Sequence, residues 1–416
     1  MKDANARSSR NATRLWALPV AAGAAAMLVG LASQRTVQAR AADPAADRRP
    51  DGAPAPSDRG MTHRAGRMID ATVMRIAQAA QLGGRTDGRG SRIVHSTQEL
   101  DAALRSARAG ESILLAPGTY SDISIDNLRF DGVVDVGSSD PKNPAVLTHL
   151  MVVKSKGLRF HNLELSTVGQ TEPNPFRVVE SDDIHFVQLS VHGTLNDDTA
   201  DAIAAMILRN STNISVEDSE FQQLKIGIAH RDCDHLVISR NNFHDIRVDG
   251  IHGGGSSNVL ISDNHFTDFF NIHDKAHDHP DAIQFWTTNT TESAHDITVT
   301  GNVAKRGKGT YVQGVFFRDE KEAHPFQNVI ISHNTIIGEA NNGIMVDGAR
   351  NVQIIDNTIQ PFPDRLSRLR LQKVDNVTVA NNTAGKFVYK DVTGLKESSN
   401  KLAGGGGRDV KDPGDE

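Results

Sequence analysis

With 416 residues, 38% of them apolar and 23% charged, the chain has material for a sizeable core, and its composition excludes wholesale disorder. A formal charge of −6 disfavours nucleic acid and anionic membrane surfaces as general partners. The single cysteine, Cys233, excludes an internal disulfide, so packing must supply the stability.

The N-terminus stands apart. Lys2, Arg7, Arg10 and Arg14 precede an apolar run from Leu15 to Ala32, and Val37-Gln38-Ala39 places small residues at the spacing a signal peptidase reads. Residues 1–39 read as an export signal; left uncleaved, the same run is long enough to anchor the chain in a bilayer with its basic end inside the cell. Either way the bulk of the chain is expected to be extracytoplasmic, periplasmic or secreted. Removing residues 1–39 takes away five basic residues and one acidic residue and moves the formal charge from −6 to −10. Residues 40–91, rich in Ala, Pro, Asp, Arg and Gly without a sustained apolar period, predict a disordered linker, and residues 401–416 predict a disordered Gly-rich tail.

Between them lies the folded part, residues 92–400. Ser96-Thr97-Gln98-Glu99 has capping-box spacing, Leu100, Ala103, Leu104 and Ala107 fall on one helical face, and Gly110 is placed to end a short amphipathic helix. "SILLAPGTY" follows as an apolar strand and a Pro-Gly turn.

From there one sentence repeats. "NISVEDSEF" at 213, "HLVISRNNF" at 235, "NVLISDNHF" at 258, "DITVTGNVA" at 296, "NVIISHNTI" at 328, "NVQIIDNTI" at 351 and "NVTVANNTA" at 376 share alternating apolar residues and a fixed downstream position. Asn241, Asn264, Asn302, Asn334, Asn357 and Asn382 occupy that position; "GLRFHNLEL" at 157 and "DIHFVQLSV" at 183 are weaker copies. The intervals are 26, 30, 22, 23, 38, 32, 23 and 25 residues. A base period of 22 to 25 is too short for two helices or a four-stranded blade, whereas coiled parallel strands fit it. Asparagine tolerates the left-handed conformation of a tight bend, and stacked asparagines can bond along the coils.

Each repeat carries a second strand: "IGIAHRD" at 226, "DGIHGGG" at 249, "DAIQFWT" at 281, "QGVFFRD" at 313 and "NGIMVDG" at 342. Ile228, Ile251, Ile283, Val315 and Ile344 are expected to point inward. Alternation then turns Ala229, His252, Gln284, Phe316 and Met345 outward, followed by Arg231, Gly254, Trp286, Arg318 and Asp347. The "GGG" at 253–255 lacks the helix and Lys-Ser/Thr of a phosphate loop and is expected to leave an open groove above His252.

Cap helix, "GTY" turn, asparagine ladder and coil period together resemble the right-handed parallel β-helix proteins of the pectate-lyase-like superfamily. The resemblance implies an all-β, single-stranded solenoid of roughly nine to ten coils with an N-terminal cap helix. It also implies a polysaccharide as partner and a monomer. The superfamily spans polysaccharide lyases, uronan C5-epimerases, glycoside hydrolases and non-catalytic proteins, so the reaction must be argued from the site.

The two longest intervals, 38 and 32, are consecutive, and their insertions should rise over one face. The first is "HDKAHDHPDAIQFW" from His273 to Trp286; the second is "KRGKGTYVQG". Elimination from a uronic acid needs a base at C5, an acid at the leaving oxygen and a cation for the carboxylate. The expected base is His279 or His252, the acid Tyr311, and the cation Arg231, Arg247 or Arg318. Trp286, Gln284, Lys275 and Lys308 are the expected substrate-binding residues. Calcium-dependent lyases of the superfamily imply a carboxylate site, for which Asp278 and Asp281 are the candidates. Residues 278 to 281 read Asp-His-Pro-Asp where mannuronan epimerases carry Asp-Pro-His-Asp; the order differs and no residue role transfers. Outward aspartates occur only at strand starts, which ranks elimination above hydrolysis. A protein that binds glycan or assembles exopolysaccharide without catalysis is the reading of another class.

Overall fold

The computed structural model describes residues 90–272, 280–338, 342–363 and 366–404. The expected export signal or anchor lies outside the described residues, as do all but the last two residues of the expected linker and most of the tail. Among the described residues, no helix is long and apolar enough to cross a membrane.

Helix α1, Thr97–Ser106, caps the first coils. The Ser96 hydroxyl accepts from the Glu99 amide at 3.2 Å, and the Glu99 carboxylate accepts from the amide of His95 at 2.8 Å, one residue earlier than a reciprocal box requires. Leu100, Ala103 and Leu104 are buried. The helix stops before Gly110: Ala107 turns extended as its amide bonds the Leu104 carbonyl.

Behind the cap the chain winds as a parallel coil with three strands per turn, and every pairing is to the preceding or following coil. The third sheet stacks twelve short strands among the described residues, more than the nine or ten coils of the repeat, because residues 112–147 and 386–402 form coils without its pattern. Six first-sheet strands frame the site: β1 Met206–Arg209, β2 Ile226–Arg231, β3 Asp249–Gly254, β4 Asp281–Trp286, β5 Gln313–Arg318 and β6 Asn342–Ile355. The inward register holds throughout. Ile228, Ile251, Ile283, Val315 and Ile344 are aligned coil to coil and at most 3% exposed. Phe221, Phe243 and Phe266 stack inside at 4.7 and 4.9 Å, the spacing of adjacent strands.

The asparagine ladder forms, with one correction. Each side-chain oxygen accepts both the backbone and side-chain N–H of the asparagine one coil earlier, at 2.9 to 3.2 Å from Asn241 through Asn382, and Asn400 extends the series. The left-handed residue is the one before: Arg240, Asp263, Gly301, His333, Asp356 and Asn381 have φ of 55° to 69°. Those residues make the bend, and the asparagine fills it with hydrogen bonds. Asn302→Ala should therefore cost about 4 kcal/mol, because it strands several buried partners of Asn302, each costing about 1–3 kcal/mol. Denaturant titration would measure this; a loss below about 1 kcal/mol would mean the neighbours re-pair around the gap.

Candidate functional site

The site grows from the starts of β3, β4 and β5. Asp249, Asp281 and Gln313 are register partners, so the strand-start column is polar over three coils. Asp249 uses both oxygens: one accepts from Nδ1 of His252 at 2.7 Å, the other from the Asp281 amide at 3.1 Å. Asp281, 0% exposed, accepts from the side-chain amides of Gln284 at 2.5 Å and Gln313 at 2.9 Å. Asn342 then donates to Gln313 at 2.7 Å, which carries the network onto β6. Asp249 thus holds one tautomer and one orientation of His252, with Nε2 as the basic nitrogen.

His252 opens on a cleft of about 200 Å³ whose walls include His230, Arg231, Gly253, Gly254, Trp286 and Asn289. The Trp286 ring stands edge-on to His252 at 6.4 Å. The turn after β4 closes one side: Thr290 bonds back to the Thr287 carbonyl at 3.2 Å, and the Asn289 carbonyl accepts from Arg231 at 2.9 Å. His230 forms the floor, with Nδ1 2.9 Å from the Ser256 hydroxyl and its ring edge-on to Phe285. Burial, followed by the neighbouring His252, pushes its pKa down to about 3, so it is neutral near pH 7.

Residues 199–359 match the family model described as the right handed beta helix region. The chain is a right-handed parallel β-helix. This agrees with the resemblance to the pectate-lyase-like superfamily. No curated protein matches the sequence significantly. Among solved structures, an alginate lyase from Paenibacillus sp. str. FPU-7 is 15% identical over 76% of this chain and 99% of its own, with a TM-score of 0.36. The periplasmic alginate epimerase AlgG is 13% identical over 76% and 83%, at 0.42, and PfbA, a surface adhesin of Streptococcus pneumoniae, is 10% identical over 80% and 87%, at 0.46. A lyase, an epimerase and an adhesin leave the reaction to be argued from this chain's own residues.

On this β-helix the expected site residues separate. His279, Lys275 and Asp278 lie outside the described residues. His252, Arg231 and Trp286 share the cleft. Gln284 is the register partner of His252, but its amide N–H is committed to Asp281 and the residue is 1% exposed, which corrects its reading as a donor to substrate. Arg318 keeps its register beside Trp286 yet turns to solvent and pairs with Glu320 at 2.9 Å. Arg231 and Arg318 thus bond Asn289 and Glu320. Arg247 donates to the Ala200 carbonyl at 3.2 Å, on a neighbouring segment. Tyr311 is half-buried two residues before Gln313. Lys308 is exposed in the turn after the third-sheet strand Val303–Lys305, its amide on Asp268, and does not line the cleft. Phe316 and Met345 continue the outward column but are buried.

The glycines at 253–255 also read differently. A side chain on Gly253 would collide with the His230 ring, one on Gly254 with the Trp286 carbonyl, and Gly255 is left-handed at φ 68°. They let the floor histidine and the next strand approach, and the groove above His252 follows from that. Asp281 fits poorly as a calcium ligand, since both oxygens face amide donors; Asp278 is not described. Among the described residues, no group of three or more His, Cys, Asp or Glu side chains is placed to hold a metal ion. The sequence reading missed His230 and the orienting role of Asp249. Elsewhere, Asp183, His185 and Ser215 are linked at 2.9 and 3.0 Å like a nucleophilic triad, but Ser215 is 1% exposed and out of a substrate's reach.

Proposed function

We propose that the chain is an exported polysaccharide lyase that cleaves a uronic-acid-containing glycan by β-elimination, with His252 as base. The observation that carries this reading is the 2.7 Å bond from His252 to Asp249 on the wall of a cleft that also holds Arg231 and Trp286. Nε2 of His252 takes the proton from C5 of the uronate, while Arg231 faces the carboxylate on which negative charge builds. The C4–O bond breaks as the C4–C5 double bond forms, and the leaving oxygen takes a proton, for which Tyr311 is the candidate donor. Trp286 offers a flat face to a sugar ring.

Epimerisation would share the first step and return a proton to the opposite face. Hydrolysis fits less well: it needs one carboxylic acid and one carboxylate flanking the scissile bond, and all four oxygens of Asp249 and Asp281 already accept hydrogen bonds. The test incubates the protein with a panel of uronans and neutral polysaccharides, with and without chelator, following ultraviolet absorbance of the unsaturated uronate and new reducing ends together. Both should rise with a uronate-containing glycan. Reducing ends without unsaturation would point to a hydrolase, and binding without either product to a non-catalytic glycan-binding protein. Loss of activity in chelator would show that the reaction needs a metal ion.

A further inference from the structure

Beside the cleft, two arginines stand next to each other on adjacent strands. Arg209 of β1 and Arg231 of β2 are register partners, so their backbones are ~4.8 Å apart. Both belong to the outward face, because Ile207 and Ala229, two residues earlier on the same strands, line the cleft. Their charges are uncompensated. Among the described residues neither forms an ion pair, whereas Arg159, Arg240 and Arg318 on other coils all do. Arg231 donates to a neutral carbonyl, that of Asn289, and Nε of Arg209 is buried without a hydrogen-bond partner.

Like charges on neighbouring strands repel. Burial and then the charge of Arg231 push the Arg209 pKa down, ahead of the opposing pull of Asp232 and Glu180. A guanidinium only donates, in a fork that matches an oxyanion, and a sugar hydroxyl would leave both charges in place. The charge along the groove is also one-sided. Beyond Trp286 the outward column continues into Arg318, which Glu320 neutralises, and then Asp347, a buried carboxylate. An acidic polymer leaving the cleft meets Asp347 on that side and Arg209 on the other. In a chain of formal charge −6, such a local pair of cations is what draws an acidic polymer. A sugar ring and a coil advance by about the same distance, ~4.8 Å per strand, which sets Arg209 one sugar residue away from Arg231.

We propose that Arg209 is a specificity-determining residue. Arg231 faces the carboxylate of the uronate in the cleft, and Arg209 takes an oxyanion on the next sugar, so the preferred glycan is acidic on two successive residues. The position of the first uronate rests on the lyase reading; the attraction of the arginine pair for an anion does not.

Binding is measured on the full chain carrying Trp16→Phe, in which Trp286, sharing the cleft with Arg231, is the one tryptophan. Its emission is titrated with three oligosaccharides of equal length: oligogalacturonate, an alternating oligomer of glucuronate and N-acetylglucosamine, and that oligomer sulfated on the amino sugar. Oligogalacturonate should bind about tenfold tighter than the unsulfated alternating oligomer, the worth of one charge-assisted contact, and Arg209→Gln should cut that ratio to below about twofold. Arg209→Lys should keep part of it, since the charge remains and the fork is lost. A similar gain from sulfate that Arg209→Gln also removes supports the same site, with sulfate as the oxyanion. Equal affinities in the parent, no response to any acidic oligosaccharide, or a preference that Arg209→Gln leaves intact overturns the proposal. If Arg209→Gln fails to fold, Arg209→Met, which keeps an apolar stem, is measured in its place. Failure of the lyase reading shows separately: no glycan then yields unsaturated ends, while the Arg209-dependent ratio persists.

Discussion

His252→Ala should lower kcat/KM on the preferred uronate-containing glycan by about 10³-fold, since loss of a positioned general base costs about 10²–10⁴-fold, here ~4 kcal/mol of transition-state stabilisation. The fold should survive, because the side chain is 31% exposed on the outward column while the core contacts of β3 run through Ile251. Asp249→Asn should also lower turnover, by about 10²-fold, with a shifted pH profile: an amide can present its N–H to Nδ1 and so favours the tautomer whose Nε2 is protonated and no longer a base. Initial rates from the absorbance of the unsaturated product, over a range of pH, check both. Full turnover in His252→Ala would remove the base from this cleft and direct attention to His279. Arg318→Ala, by contrast, should change little, because its pair with Glu320 is exposed and such pairs contribute weakly.

The coil register was legible because it is written twice, in the alternation of each strand and in the asparagine that follows. Any one repeat is ambiguous, but a one-residue slip would turn Ile228, Ile251, Ile283, Val315 and Ile344 outward together. The left-handed bend was misplaced by one residue because asparagine suits both a left-handed bend and a hydrogen-bonded ladder, and composition alone does not say which role it fills. The site was less legible for physical reasons. Asp249 at a strand start looks like a turn cap, and its partner His252 lies three residues later on a strand, where alternation aims side chains three apart at opposite faces; the 2.7 Å contact between them breaks that rule. His230 falls on the inward column and reads as core, and so it is. It also meets the cleft, because Gly253 above it has no side chain to seal the floor.

That floor histidine makes the fold acid-labile. In the folded chain burial holds the His230 pKa at about 3, against an ordinary value of 6.5, so below pH 6.5 the unfolded chain takes up a proton that the folded chain refuses. Its contribution is complete above about pH 6.5 and is lost as the pH falls toward 3, at ~1.4 kcal/mol per unit and roughly 5 kcal/mol across the window. The groups around it give no relief: Ser256 meets Nδ1, the rings of Phe285 and His252 lie alongside, and a protonated His252 raises the cost further. His244 works in the opposite sense. Asp245 and Glu220 raise its pKa against the opposing effect of burial, so its contribution is present below about 6.5 and fades as the pH rises through the higher folded value. Urea titrations at pH 6.5 and 4.5 should show the parent losing about 2.3 kcal/mol more than a His230→Leu variant, which keeps an apolar side chain against Phe285 and removes the proton site. Equal losses in the two proteins would place the acid lability elsewhere. A larger loss in the variant would mean that the folded floor takes up a proton more readily than the unfolded chain does.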